Sequence, residues 1–181
     1  RQRCARRGRT GAALAFLGGA AGGGGWGRTP AAAADAGGKA YRQEKYAEAR
    51  DAWEAWLREH PGDARGEYNL GTALHRTGEL DPSEQMLVRA AQAPDPRLAS
   101  AAFYNLANTH FKNNKYEDAI AAYRHALALD PTNSGAKWNL ELALQKKKEE
   151  DKKKEDQKKD QDKNEQNKDQ DKDQDKDQDK K

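Results

Sequence analysis

The sequence predicts an all-α fold, a short solenoid of antiparallel helix pairs, and three observations carry that expectation. The middle of the 181-residue chain repeats itself every 34 residues. Gly, Asn and Pro punctuate that repeat at two fixed phases, as helix ends require. The two ends of the chain differ so sharply in composition from the middle that they cannot share its core.

The first unit is set by Pro61 at position 32, which puts Gly37 at 8, Tyr46 at 17, Ala49 at 20, Trp53 at 24 and Trp56 at 27. Its opening helix has Ala33, Ala36 and Ala40 where later units carry larger residues, so it is the weakest element. The second unit starts at Ala64, with Asn69, Leu70 and Gly71 at 6, 7 and 8, Gly78 at 15, Leu80 at 17, Ser83 at 20, Leu87 at 24 and Ala90 at 27. After a two-residue insertion around Pro94 to Leu98, the third unit starts at Ser100. It carries Asn105, Leu106, Ala107, Tyr116, Ala119, Tyr123, Ala126 and Pro131 in the same phases. A half-unit from Ser134, with Asn139 and Leu140, then has the form of a capping helix, one face packed and one in water.

Packing explains the residue types. Small residues at 8, 20 and 27 let helix axes approach, and large ones at 4, 7, 17 and 24 fill the space between them. Thr77-Gly78 and Asn113-Asn114 end first helices because they tolerate positive φ. Pro61 and Pro131 end second helices. Pro82, after Asp81, fits the first turn of a helix, where its missing amide costs little.

The ends read differently. Residues 1–30 carry six Arg and no acid, followed by the apolar run Ala12 to Leu17, a Gly-rich stretch and small residues before Asp35. That order is a leader resembling a secretory signal, an expectation of export to the periplasm or cell envelope; without it the chain would be cytoplasmic. Gly22 to Thr29 nearly matches a phosphate-binding loop, but Arg28 replaces the Lys, Pro30 follows, and no strand-helix pattern surrounds it. From Lys146 to Lys181 there are 14 Lys, 14 acids, 8 Gln or Asn and no apolar residue. Its Lys and Glu spacing to Glu155 can prolong the preceding helix, and beyond that disorder is expected. The expected organisation is a disordered leader at 1–30, a helical domain at 31–145 and a charged low-complexity tail at 146–181.

Function classes narrow accordingly. Residues 31–145 hold 13 basic and 16 acidic side chains, so the basic surplus lies outside the foldable part and nucleic acid is not the expected partner. The single Cys4 excludes an internal disulfide and a cysteine zinc site. His60, His75, His110 and His125 follow no metal-ligand spacing, and no acid pairs with a nucleophile. No enzyme, cofactor, metal or small-molecule substrate is expected, and no apolar run is long enough to span a membrane.

The recurring phases resemble the tetratricopeptide-repeat (TPR) family from about Ala31 to Gln145. That resemblance implies that first helices line a concave face through positions 2, 5, 6, 9, 12 and 13. The residues so placed are Arg65, Tyr68, Asn69, Thr72, His75 and Arg76, then Tyr104, Asn105, Asn108, Phe111 and Lys112, then Trp138, Asn139, Leu142 and Gln145. Tyr68, Tyr104 and Trp138 form an aromatic row beside Asn69, Asn105 and Asn139. These amides can pair with a partner's backbone, or they can tie adjacent helices together; both readings stand at this point. The carboxylate clamp of chaperone-binding members needs Lys and Asn where Ala34 and Gly38 stand, so a chaperone tail is not the expected ligand.

A narrower likeness comes from the spacer Ala93 to Ala99, the cap Ala136 to Ala143 and the abrupt charged tail. Together they resemble the TPR component of Bat (aerotolerance-type) operons, encoded beside MoxR-type ATPases and von Willebrand factor A proteins. The resemblance implies an envelope scaffold with membrane-anchored von Willebrand factor A partners. A chaperone-like holder or assembly factor for exported chains is the alternative.

Overall fold

The computed structural model describes residues 30–178, with side chains placed for residues 36–159. The leader, Cys4 and the near phosphate loop fall outside the described residues. Seven α-helices follow one another: α1 Pro30–Arg42, α2 Tyr46–Glu59, α3 Ala64–Thr77, α4 Leu80–Ala90, α5 Pro96–Lys112, α6 Tyr116–Leu129 and α7 Ser134–Gln178. They are the expected helix pairs, and each packs chiefly on its neighbours in sequence.

The turn inside each pair is made by one left-handed residue at the same phase: Glu44 at φ 60°, Gly78 at φ 91° and Asn114 at φ 58°. Gly and Asn take that conformation cheaply; Glu44 holds it under some strain. Between pairs, Asp63 and Asp95 cap α3 and α5 by accepting hydrogen bonds from the amides of Arg65 at 3.2 Å and Arg97 at 3.0 Å. Pro82 sits in the first turn of α4 as expected. The two-residue insertion has a consequence that the repeat phase did not foretell. Asp95 and Pro96 start α5 four residues ahead of Ser100, lengthening it to 17 residues.

The small phases permit the close approaches. A Cβ on Gly71 would stand 2.7 Å from Leu87 Cγ, and one on Gly37 would stand 2.7 Å from the Trp53 indole. Leu87, Ala107, Ala119 and Ala126 are fully enclosed, and Leu70 and Leu106 are each 6% exposed. Leu140 is half-buried against the same core. The opening helix α1, weakest in sequence, is held by Ala40 packed with Ala49 and Trp53.

The charged stretch continues α7, as its Lys and Glu spacing to Glu155 allowed, and the described backbone is helical to Gln178. No Gly, Pro or β-branched residue interrupts that stretch, and Lys147 pairs with Asp151 at 2.7 Å one turn on, as Glu150 does with Lys154.

Candidate functional site

The first helix of each pair, α1, α3, α5 and α7, lies beside the next first helix, so their exposed phases form one continuous face. Its floor is built by hydrogen bonds between repeats. Asn105 Nδ2 donates to Tyr68 Oη and to Thr72 Oγ1, both at 3.1 Å. One repeat further, Asn139 Nδ2 donates to Asn108 Oδ1 at 3.0 Å and more weakly to Tyr104 Oη at 3.4 Å. Asn108 Oδ1 also accepts from the Tyr123 hydroxyl at 2.6 Å, so α5, α6 and α7 meet at one amide. The later two Asn side chains therefore tie helices together. Asn69, at the same phase, donates to no described residue.

The other predicted residues divide into those turned inward and those left open. His75 Nδ1 lies 3.0 Å from Thr109 Oγ1, which donates to the Asn105 carbonyl at 2.9 Å. Burial, together with the nearby Lys112 and Arg76 charges, pulls the His75 pKa below its ordinary value. Burial also raises the Tyr68 phenol, against the hydrogen bond it receives from Asn105. Phe111 meets Tyr116 edge-on at 5.4 Å and is partly packed into the core. Arg65, Arg76, Lys112, Trp138, Leu142 and Gln145 are exposed.

The face carries a cleft of about 400 Å³ between α1, α3 and α5. Tyr68, Asn69, Thr72 and Asn105 line it, joined by Gly38, Tyr41 and Arg42 of α1 and Trp53 of α2. The three α1 residues occupy positions 9, 12 and 13 of the first unit, so the phase rule applied to that unit would have found them. A second, shallower hollow on α7 is lined by Trp138, Glu141, Leu142 and Gln145. Of the predicted residues, four share the walled cleft and Trp138, Leu142 and Gln145 share the open hollow on α7, while Arg65, His75, Arg76, Tyr104, Asn108, Phe111, Lys112 and Asn139 line neither. Among the described residues, no three His, Cys, Asp or Glu side chains group closely enough to hold a metal ion. No helix among them is long and apolar enough to cross a membrane.

Comparison with known proteins agrees with this architecture. Tetratricopeptide-repeat sequence models match residues 34–99 and 100–133. The chain belongs to the tetratricopeptide-repeat family. Its fold is similar to the first TPR domain of Spaghetti (RPAP3) bound to the HSP90 peptide SRMEEVD, with TM-score 0.60 and 23% identity over 64% of this chain and 90% of that one. It is also similar to the second TPR domain of human RPAP3 in complex with the HSP70 peptide SGPTIEEVD, at TM-score 0.57, 18% identity, and 64% and 98% of the two chains. The MamA protein shares the fold at TM-score 0.60 and 24% identity, over 70% of this chain and 68% of that one. At these identities the likeness is one of fold. No curated protein sequence matches the chain.

Proposed function

We propose that the chain is a protein-interaction scaffold that seats a partner segment on its concave face, centred on the cleft between α1, α3 and α5. The observation that carries this reading is the combination found there. Tyr41 and Tyr68 offer flat aromatic surface over the buried Trp53, Asn69 offers an amide uncommitted among the described residues, and the neighbouring Asn105 is spent on holding the wall. Aromatic area at low entropy cost beside a few polar groups suits recognition of an extended or helical segment. Two RPAP3 domains of similar fold hold short peptides, which supports a segment as the occupant.

The setting we propose is an exported scaffold in a cell-envelope complex with membrane-anchored von Willebrand factor A proteins. The support is the basic and apolar order of the leader and the likeness of the Ala93 to Ala99 spacer, the cap and the tail to the Bat group. Affinity capture of the full chain from envelope fractions tests it. The expected result is co-purification of such a partner, lost when Tyr41→Ala and Asn69→Ala are combined. Recovery from the cytosol alone, with no such partner, overturns the setting. Capture that ignores the double variant overturns the cleft.

A second reading, a chaperone-like holder of exported chains, draws on the open end of the array. Trp138 is 70% exposed beside Leu142, an apolar surface suited to sequence-tolerant contact. Under that reading Trp138→Ala, and not the cleft variant, weakens capture.

A further inference from the structure

The charges of the fold are sorted by face. Residues 31–145 carry more acids than bases, 16 against 13, yet the concave phases with described side chains hold Arg42, Arg65, Arg76 and Lys112 and no acid. Asp35 shares one such phase in the first unit, and its side chain is outside those described. Among the described residues none of these four forms an ion pair, whereas Lys146, at position 13 of the α7 unit, pairs with Glu149 at 2.9 Å. On the second helices Arg50 reaches Glu79 at 2.8 Å, whereas Arg58, Arg89 and Arg124 form no ion pair among the described residues, so the lack of acids at the concave phases, and not the pairing of cations, separates the two faces.

Three of the four recur at position 13 of successive units: Arg42, Arg76 and Lys112. A cation in the last turn of a helix complements the helix dipole, which gives each of these a structural reason to exist. Arg65 has no such reason. It sits in the first turn of α3, where the dipole opposes a positive charge. The row is also held in place. The Arg76 guanidinium lies 4.1 Å over the Tyr46 ring, Lys112 Nζ donates to the His75 carbonyl at 3.0 Å, and Arg42 lines the cleft. Side chains already ordered lose less freedom on binding.

We infer that the concave face takes an acidic, extended protein segment running across the first helices, its carboxylates meeting Arg42, Arg76 and Lys112. The inference rests on the concave-face reading above and adds the chemistry of the partner. Packed helix axes stand roughly 10 Å apart, and an extended chain advances about 3.3 Å per residue, so one carboxylate at about every third position matches one cation per repeat. Side chains between the acids then fall on Tyr41, Tyr68 and Asn69. This row is separate from a terminal-carboxylate clamp, whose first-unit positions here are Ala34 and Gly38, so the segment need not be a chain end. Nucleic acid is the weaker fit, because the rest of the fold is net acidic and would repel a polyphosphate at close range.

The test is fluorescence anisotropy with the full chain and a labelled peptide bearing Glu at every third position, in free-acid and amidated forms, beside its Glu→Gln analogue. The Glu peptide is expected to bind with or without a free C-terminus, and more weakly as salt rises. Combining Arg42→Gln, Arg76→Gln and Lys112→Gln is expected to weaken it by about tenfold, or about 1.4 kcal/mol. The same charge removal on second helices, Arg58→Gln with Arg89→Gln and Arg124→Gln, is expected to leave binding nearly unchanged. Equal loss in both triple variants, equal binding of the Gln analogue, dependence on a free terminal carboxylate, or tighter binding of a single-stranded oligonucleotide each overturns the inference. If the concave triple variant is silent while Tyr41→Ala with Asn69→Ala abolishes binding, the charge inference fails and the cleft stands. If no Glu peptide binds, the inference fails, and envelope capture still decides the cleft. Circular dichroism confirms that each variant keeps its helices.

Discussion

Tyr104 and Trp138 stand 34 residues apart at the same phase of successive first helices, and they live in different surroundings. The Tyr104 ring lies 6.1 Å from Tyr123, and its hydroxyl receives Asn139 from the following helix. Trp138 has no following pair among the described residues and is 70% exposed. In a linear array each unit is completed by the next, so phase assigns a direction and the neighbour assigns burial. The middle repeats and the free end of α7 are therefore different surfaces written in one pattern.

The largest effect should come from the enclosed side. Tyr123 is 1% exposed and donates to Asn108, so Tyr123→Ala should cost about 3–5 kcal/mol in urea unfolding. A loss under about 1 kcal/mol would mean that α5, α6 and α7 are not joined as described. Asn105→Ala strands the Tyr68 and Thr72 oxygens and should cost about 1–2 kcal/mol, whereas Asn69→Ala should stay within about 0.5 kcal/mol of the parent. Equal costs would erase the distinction between a tie and a free amide.

Acid sharpens the same contrast through two imidazoles, the half-buried His75 and the buried His110. Burial lowers the folded pKa of both His75 and His110, although Glu84, 3.6 Å from His110 Nδ1, opposes the shift there. The unfolded chain then takes up protons first. Stability should be level above pH 6.5 and should fall as pH drops from 6.5 toward the lower folded values. Combining His75→Gln with His110→Gln should flatten that slope, and an unchanged slope would assign it to other groups. The smallest effect belongs to the open end, where Trp138→Ala should change thermal stability by no more than about 0.5 kcal/mol.

The helix pairs were legible in the sequence because a 34-residue period fixes side-chain direction and turn chemistry together. Thr77-Gly78 and Asn113-Asn114 sit at the predicted turns, and Pro82 lies where its lost amide is harmless. What escaped had physical reasons. Glu44 makes the first left-handed turn without being Gly or Asn, so composition did not mark it. Tyr41, Arg42 and Gly38 were overlooked because the alanines of α1 made that helix look doubtful, and the cleft they complete went unseen with them. Whether an Asn faces a partner or a neighbouring repeat depends on how consecutive pairs stack, which one repeat's pattern does not encode. Asn105 and Asn139 are spent internally for that reason.

The Ser83 hydroxyl donates to the Gly71 carbonyl at 2.7 Å and lies 3.2 Å from Thr109 Oγ1, which in turn faces His75. This buried junction of α3, α4 and α5 is not repeated at the same phases on either side, where Ala49 and Ala119 replace the serine. The second and third repeats should accordingly open as one cooperative block, with fraying confined to the outer helices. Their amides would be the last to exchange with deuterium, keeping the middle of the binding face rigid while its margins breathe.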